Sequence, residues 1–135
     1  MRAALLAAGA APIVMLACAP AHADPAPPPP PPPYIDHTAW VHWADLSSLR
    51  VYPTPAGRRA STEFVSPDEA WSEVLAEAPD ADRPGMRAQF VCHWQFAEVA
   101  QAGKVSWNLE PWRPVVDDAT MIATGCNPGA IAEPF

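Results

Sequence analysis

The segment Glu110-Pro111-Trp112-Arg113-Pro114 sets an acid, an indole and a guanidinium between two prolines. Proline fixes its own φ and restricts the residue before it, so this frame is stiff. Within it Glu110 and Arg113 can form a bidentate carboxylate–guanidinium pair, with His93 as a third member. A rigid Glu near a His is what general acid–base hydrolysis of a glycan or an ester needs. The same pair, if buried, would lock an irregular segment in place. His93, Glu110 and Arg113 are therefore the candidate catalytic residues.

Cys92 and Cys126 offer a second chemistry. His93 follows Cys92, but neighbours in sequence point in different directions on a helix or a strand, so adjacency does not make a nucleophilic dyad. No second Cys-x-x-Cys arm accompanies them, which removes the spacing of a zinc site. In an exported chain of this size the two are expected to pair. The bridge would close a loop of about 35 residues, worth ~4 kcal/mol in the chain-entropy view.

The six tryptophans are the third signal. Trp71 and Trp94 fall on expected core faces. Trp40, Trp43, Trp107 and Trp112 are candidates for stacking against sugar rings or filling a partner interface, and equally for core volume in a small domain. His37 and His42 lie near Asp36 and Asp45 and are read as solvated. No metal site and no cofactor is assigned. No glycine-rich phosphate loop, Gly-x-Ser-x-Gly elbow or His-Glu-x-x-His motif is present.

The chain that positions these residues has 135 residues, 19 of them proline, and a formal charge of −7. Arg2, the apolar run Ala3 to Ala19 and the small residues of Ala21-His22-Ala23 have the pattern of a secretory signal peptide, cut before Asp24. The run is short for a bilayer span and is interrupted by Pro12 and Pro20, so no membrane span is expected after cleavage. Met15-Leu16-Ala17-Cys18 loosely resembles a lipoprotein box, which leaves lipidation on Cys18 as an alternative. Residues 24–33 read as a proline-rich spacer in polyproline II form, about 30 Å long. Residues 34–135 are then one domain of about 100 residues, enough for one core but too short for a TIM barrel or a full dinucleotide-binding fold. Removal of Arg2 leaves a charge of −8, which disfavours nucleic acid and anionic lipid as partners.

The fold expected is α+β, with a few short strands, two or three helices and one disulfide. Leu46 to Tyr52 alternates as a strand, closed by a turn over Pro53 to Gly57. Ile35 to Trp43 is its partner strand or, on the spacing of Trp40 and Trp43, a helix. Ser66-Pro67-Asp68-Glu69 carries a capping box, Pro67 at the first helical position and acids in the first turn, predicting a helix over 67–78. Residues 80–85 are a turn or a second helix entry, and the carboxylates from Glu69 to Asp82 a solvated face. The length of Met86 to Ala100 favours helix over strand. Lys104 to Leu109 alternates as a strand. Asp117 to Thr124 is a short helix with Asp117 or Asp118 as cap and Gly125 as its end.

Four stretches carry a resemblance: Gly85-Met86, Gln89 to His93, Trp107 to Pro114, and Cys126 to Gly129. Together they make residues 34–135 resemble a family of small exported actinobacterial proteins, best represented in mycobacteria, of unknown function. The resemblance implies the compartment and the domain limits and carries no catalytic residue with it. The function expected is an exported, envelope-associated or extracellular binding module with no assignable catalytic activity. Its partner would be a cell-envelope glycan or a protein. The alternatives are a small secreted hydrolase using Glu110 and His93, or a secreted effector acting through a protein partner.

Overall fold

The computed structural model describes residues 23–129. The expected leader, apart from its last residue Ala23, and the Cys18 alternative lie outside the described residues.

Two strands open the domain, β1 (Ile35–Trp43) and β2 (Leu46–Pro53), paired antiparallel with Trp40 opposite Leu49. A three-residue strand, β3 (Trp107–Leu109), pairs antiparallel with the other side of β2, giving the order β1-β2-β3. Successive side chains alternate across a strand. Leu49 and Val51 therefore share a face with their partners Leu109 and Trp107, all four fully buried beneath the helices. Trp40 and Thr38 belong to that face too; His37, Trp43, Arg50 and Tyr52 belong to the other.

Among the described residues four α-helices follow the hairpin and flank β3: α1 (Pro55–Thr62), α2 (Asp68–Glu77), α3 (Met86–Ala100) and α4 (Asp118–Ala123). A single 3-10 turn over Pro79–Ala81 separates α2 from α3. The domain is α+β, with one helix more than the two or three expected. The extra one is α1, at a segment read as a turn. Thr54 caps it, its hydroxyl accepting from Gly57 N at 2.9 Å, and Pro55 opens its first turn.

The core is largely aromatic. Trp94 and Trp107 meet edge to face with centroids 6.0 Å apart, and Phe90 lies within 6.3 Å of both and 5.4 Å from Trp71. Such pairs add about 0.5–1.5 kcal/mol each beyond their buried area. Trp94 Nε1 donates to the Val65 carbonyl at 2.9 Å, so its one polar atom is satisfied.

Three local readings need correction. The helix at Ser66 starts one residue late: Pro67 is the cap, and Ser66 Oγ bonds within its own turn to Asp68 N (3.3 Å) and Asp68 Oδ2 (2.9 Å). The strand over Lys104 to Leu109 contracts to Trp107–Leu109, because only those residues find partners on β2. Glu73 is not merely solvated: its Oε2 accepts from the backbone N–H groups of both Tyr34 and Ile35 at 2.7 Å, tying α2 to the start of β1.

The proline run contacts the domain at its C-terminal end. Pro30 is buried and its carbonyl accepts from the Tyr34 hydroxyl at 2.9 Å, while the Pro33 carbonyl accepts from Thr54 Oγ1 at 2.8 Å.

Candidate functional site

Glu110 and Arg113 meet as their spacing suggests. Arg113 Nε donates to Glu110 Oε2 at 2.6 Å, and both side chains are within 2% of full burial. A charge removed from water must be neutralised by its neighbours. Ser48 Oγ donates to Glu110 Oε1 at 3.0 Å, and Arg113 Nη1 donates to the Pro128 carbonyl at 3.1 Å. The backbone is clamped as well: Gln89 Nε2 donates to the Glu110 carbonyl and Gln89 Oε1 accepts from Glu110 N, both at 2.9 Å. Three segments thus converge on one turn: β2 through Ser48, α3 through Gln89, and the stretch after α4 through Pro128.

His93, on α3, is placed against β3, the strand that precedes Glu110. Its Nε2 lies 3.1 Å from the Asn108 carbonyl oxygen. A carbonyl only accepts, so Nε2 carries the proton in this contact. The ring is 4% exposed, on the buried side of α3. Cys92, one residue earlier, is bonded to Cys126 with Cα atoms 5.5 Å apart, within the usual range for a disulfide. Neither sulfur is then a thiolate, so the Cys–His dyad has no nucleophile. The bridge ties the turn after α4 to the middle of α3.

The four tryptophans that are candidates for binding or for core volume separate by exposure. Trp107 is fully buried, and its Nε1 finds no acceptor among the described residues. Trp40 is half-buried: Nε1 donates to Asp80 Oδ1 at 3.1 Å and Arg83 lies 5.7 Å from its ring centroid. Trp112 is half-buried, with Nε1 donating to the Ser47 carbonyl at 3.0 Å and the Arg113 guanidinium 4.6 Å from its ring. Trp43 alone of the four is exposed, at 54%, beside the hairpin turn. Ser47 pairs with His42 and Leu46 with Trp43, so Trp112 and Trp43 belong to the same end of the hairpin. At the other end His37 stacks on Tyr52 at 4.0 Å, with its Nδ1 2.7 Å from Asp36 Oδ2. Among the described residues no three His, Cys, Asp or Glu side chains gather as a metal ligand set. No helix there is long and apolar enough to cross a membrane.

Ser48 and Gln89 escaped the sequence reading. Gln89 had a signal: it falls three residues after Met86 and one before Phe90, on the face α3 turns to the core, where a polar side chain needs partners. Ser48 had none beyond its place in the strand.

No solved structure is a significant match to this chain. Uncharacterised proteins of Mycobacterium tuberculosis and Mycobacterium bovis are each 61% identical to it over 103 residues, covering 75% of this chain and 70% of theirs. An uncharacterised protein of Mycobacterium leprae is 50% identical over 98 residues, 71% of this chain and 80% of its own. The family described as protein of unknown function (DUF2599) matches residues 35–129, the described domain from the first strand to the turn that holds Arg113. The chain belongs to that family.

Proposed function

We propose that this chain is an exported binding module, acting outside the cytoplasm or at the cell envelope, with the tip of the β1–β2 hairpin as its contact surface and an envelope glycan as its ligand. The observation that carries the reading is Trp43, whose indole is 54% exposed on a paired strand. An exposed indole on a rigid strand gives a flat apolar face at little entropic cost, the geometry that sugar rings stack on. Trp112 adds a second indole at the same end, its ring direction set by the bond to Ser47. The groups suited to acid–base chemistry are elsewhere and enclosed: Glu110 has no solvent-facing surface and both its oxygens are engaged. Export is supported by the leader pattern before Asp24 and fits a domain closed by a disulfide.

The test is sedimentation with purified cell-wall glycan, comparing the parent chain with Trp43→Ala and Trp112→Ala. Loss of co-sedimentation in Trp43→Ala with an unchanged unfolding midpoint supports the reading. Equal sedimentation of parent and variant overturns it, as does capture of a single protein by crosslinking with no glycan retained.

A further inference from the structure

A recess lies between the C-terminal half of α3 and the turn that follows α4. Its volume is about 260 Å³, and none of the hairpin residues line it. Phe96, Ala97 and Ala100 form an apolar wall along α3, and Gly125, Cys126 and Asn127 face them. The disulfide holds those two walls together, since Cys126 is bonded to α3 itself. Lys104 is among the lining residues.

Lys104 is the only lysine in a chain of charge −7. Arg58, Arg83, Arg87 and Arg113 each face a carboxylate, whereas Lys104 makes no ion pair among the described residues. It is half-buried, and no Asp or Glu is among the described residues lining the recess. A lysine beside an apolar wall, with no carboxylate in the described lining, offers a point charge to an anion.

We infer that this recess binds a small organic anion, a carboxylate with a short aliphatic tail. The carboxylate meets the Lys104 ammonium, and the tail lies along Phe96, Ala97 and Ala100. Gln101 and Asn127 carry side-chain amides that can complete the hydrogen bonding of the carboxylate oxygens. The volume sits just below the range of roughly 300–1,000 Å³ that takes drug-sized ligands, so the ligand is of fragment size. A neutral ligand of the same shape gains the apolar wall but leaves the ammonium without a counter-ion, and a cationic one adds repulsion. A charge-assisted hydrogen bond is worth about 1.5–3 kcal/mol, so the anion should bind at least roughly tenfold tighter than its neutral analogue.

The experiment titrates the isotope-labelled protein with octanoate, octanol and octylamine, each below its micelle concentration, and follows amide shifts. Octanoate should give saturable shifts at Phe96, Ala97, Ala100 and Asn127, with affinity at least roughly tenfold above octanol. Lys104→Met should remove that advantage, and Lys104→Arg should keep it, with the unfolding midpoint unchanged in both. The inference is overturned by equal binding of octanoate and octanol, by an unchanged Lys104→Met variant, by the absence of saturable shifts, or by shifts centred on Val91 and Ile122 in the groove between α3 and α4.

Discussion

Glu110 and Arg113 form an ion pair three residues apart in sequence, joined at 2.6 Å and shut off from solvent. A pair of this kind is weak as net stabilisation, because desolvating both charges consumes most of the attraction. Its effect is conditional: each charge is tolerable only while the other is there. Together with Ser48, Gln89 and the Pro128 carbonyl it fixes the path of a segment that is itself neither strand nor helix.

Removing one charge should therefore cost far more than removing both. Glu110→Gln leaves the Arg113 guanidinium buried without its carboxylate and should destabilise the domain by about 3–5 kcal/mol. The double variant Glu110→Gln with Arg113→Met should lose less than the two single variants together. Urea unfolding of the four proteins measures both quantities; strict additivity would show that the pair is not coupled.

Reduction of the bridge between Cys92 and Cys126 should lower stability by ~4 kcal/mol, by releasing a loop of about 35 residues in the unfolded chain. Cys92→Ala with Cys126→Ala should behave like the reduced protein. Denaturation with and without reductant tests this, and thiol titration of the native protein should find both sulfurs unreactive.

Gly57 is a site where one methyl group should be expensive. A Cβ there would lie 2.2 Å from the Tyr34 carbonyl oxygen, and that oxygen already accepts from Thr54 N at 2.8 Å. Backbone on both sides has no room to give. Gly57→Ala should cost about 1–3 kcal/mol through overpacking, although alanine is the better helix former. Gly103→Ala, where a Cβ would meet nothing within 4 Å, is the comparison for backbone strain alone, since that residue has φ +72°. Unchanged or raised stability in Gly57→Ala would show that the approach of Tyr34 is not a clash.

Asp117 caps α4, accepting from Thr120 N at 2.8 Å. The bonds from Thr120 hold its carboxyl below the ordinary value of 3.8. A depressed folded-state value means the contribution is complete above that ordinary value and is lost as the pH falls through the lowered one. The Thr120 amide should thus lose its protection from exchange in acid. Asp117→Asn, which caps without titrating, should remove this pH dependence. An identical acid profile in the two proteins would assign the change to other groups.

Much of the helical structure was legible, for local reasons. α3 is recognisable by its length, and α4 has an N-cap Asp and a Gly at its end, so the termini of α4 follow from backbone chemistry. α1 was hidden because Pro55 and Gly57 are ordinary turn residues. Thr54-Pro55 is also a cap followed by proline at the first helical position, and Gly57 is required not by a turn but by the approach of Tyr34. β1 was ambiguous because both its faces carry large side chains: Trp40 on the helix side, Trp43 and the His37–Tyr52 stack on the other. The Glu110–Arg113 pair could be read from its two prolines. The direction of His93 onto Asn108 could not, since it depends on how α3 crosses β3. Which tryptophans stay exposed depends on the same packing, and no property of Trp43 in the sequence sets it apart from Trp107.

Tyr34 is a joint rather than a boundary. Its amide is held by α2 through Glu73, its carbonyl receives Thr54 at the head of α1, its ring stands 5.7 Å from Trp94, and its hydroxyl reaches back to Pro30. The seating of the proline arm and the closing of the aromatic interior are therefore a single event. A chain trimmed to begin at Ile35 would not simply lose a tail. It would uncover the edge of Trp94, take the carbonyl away from Thr54 at the head of α1, and leave Glu73 with Ile35 N alone.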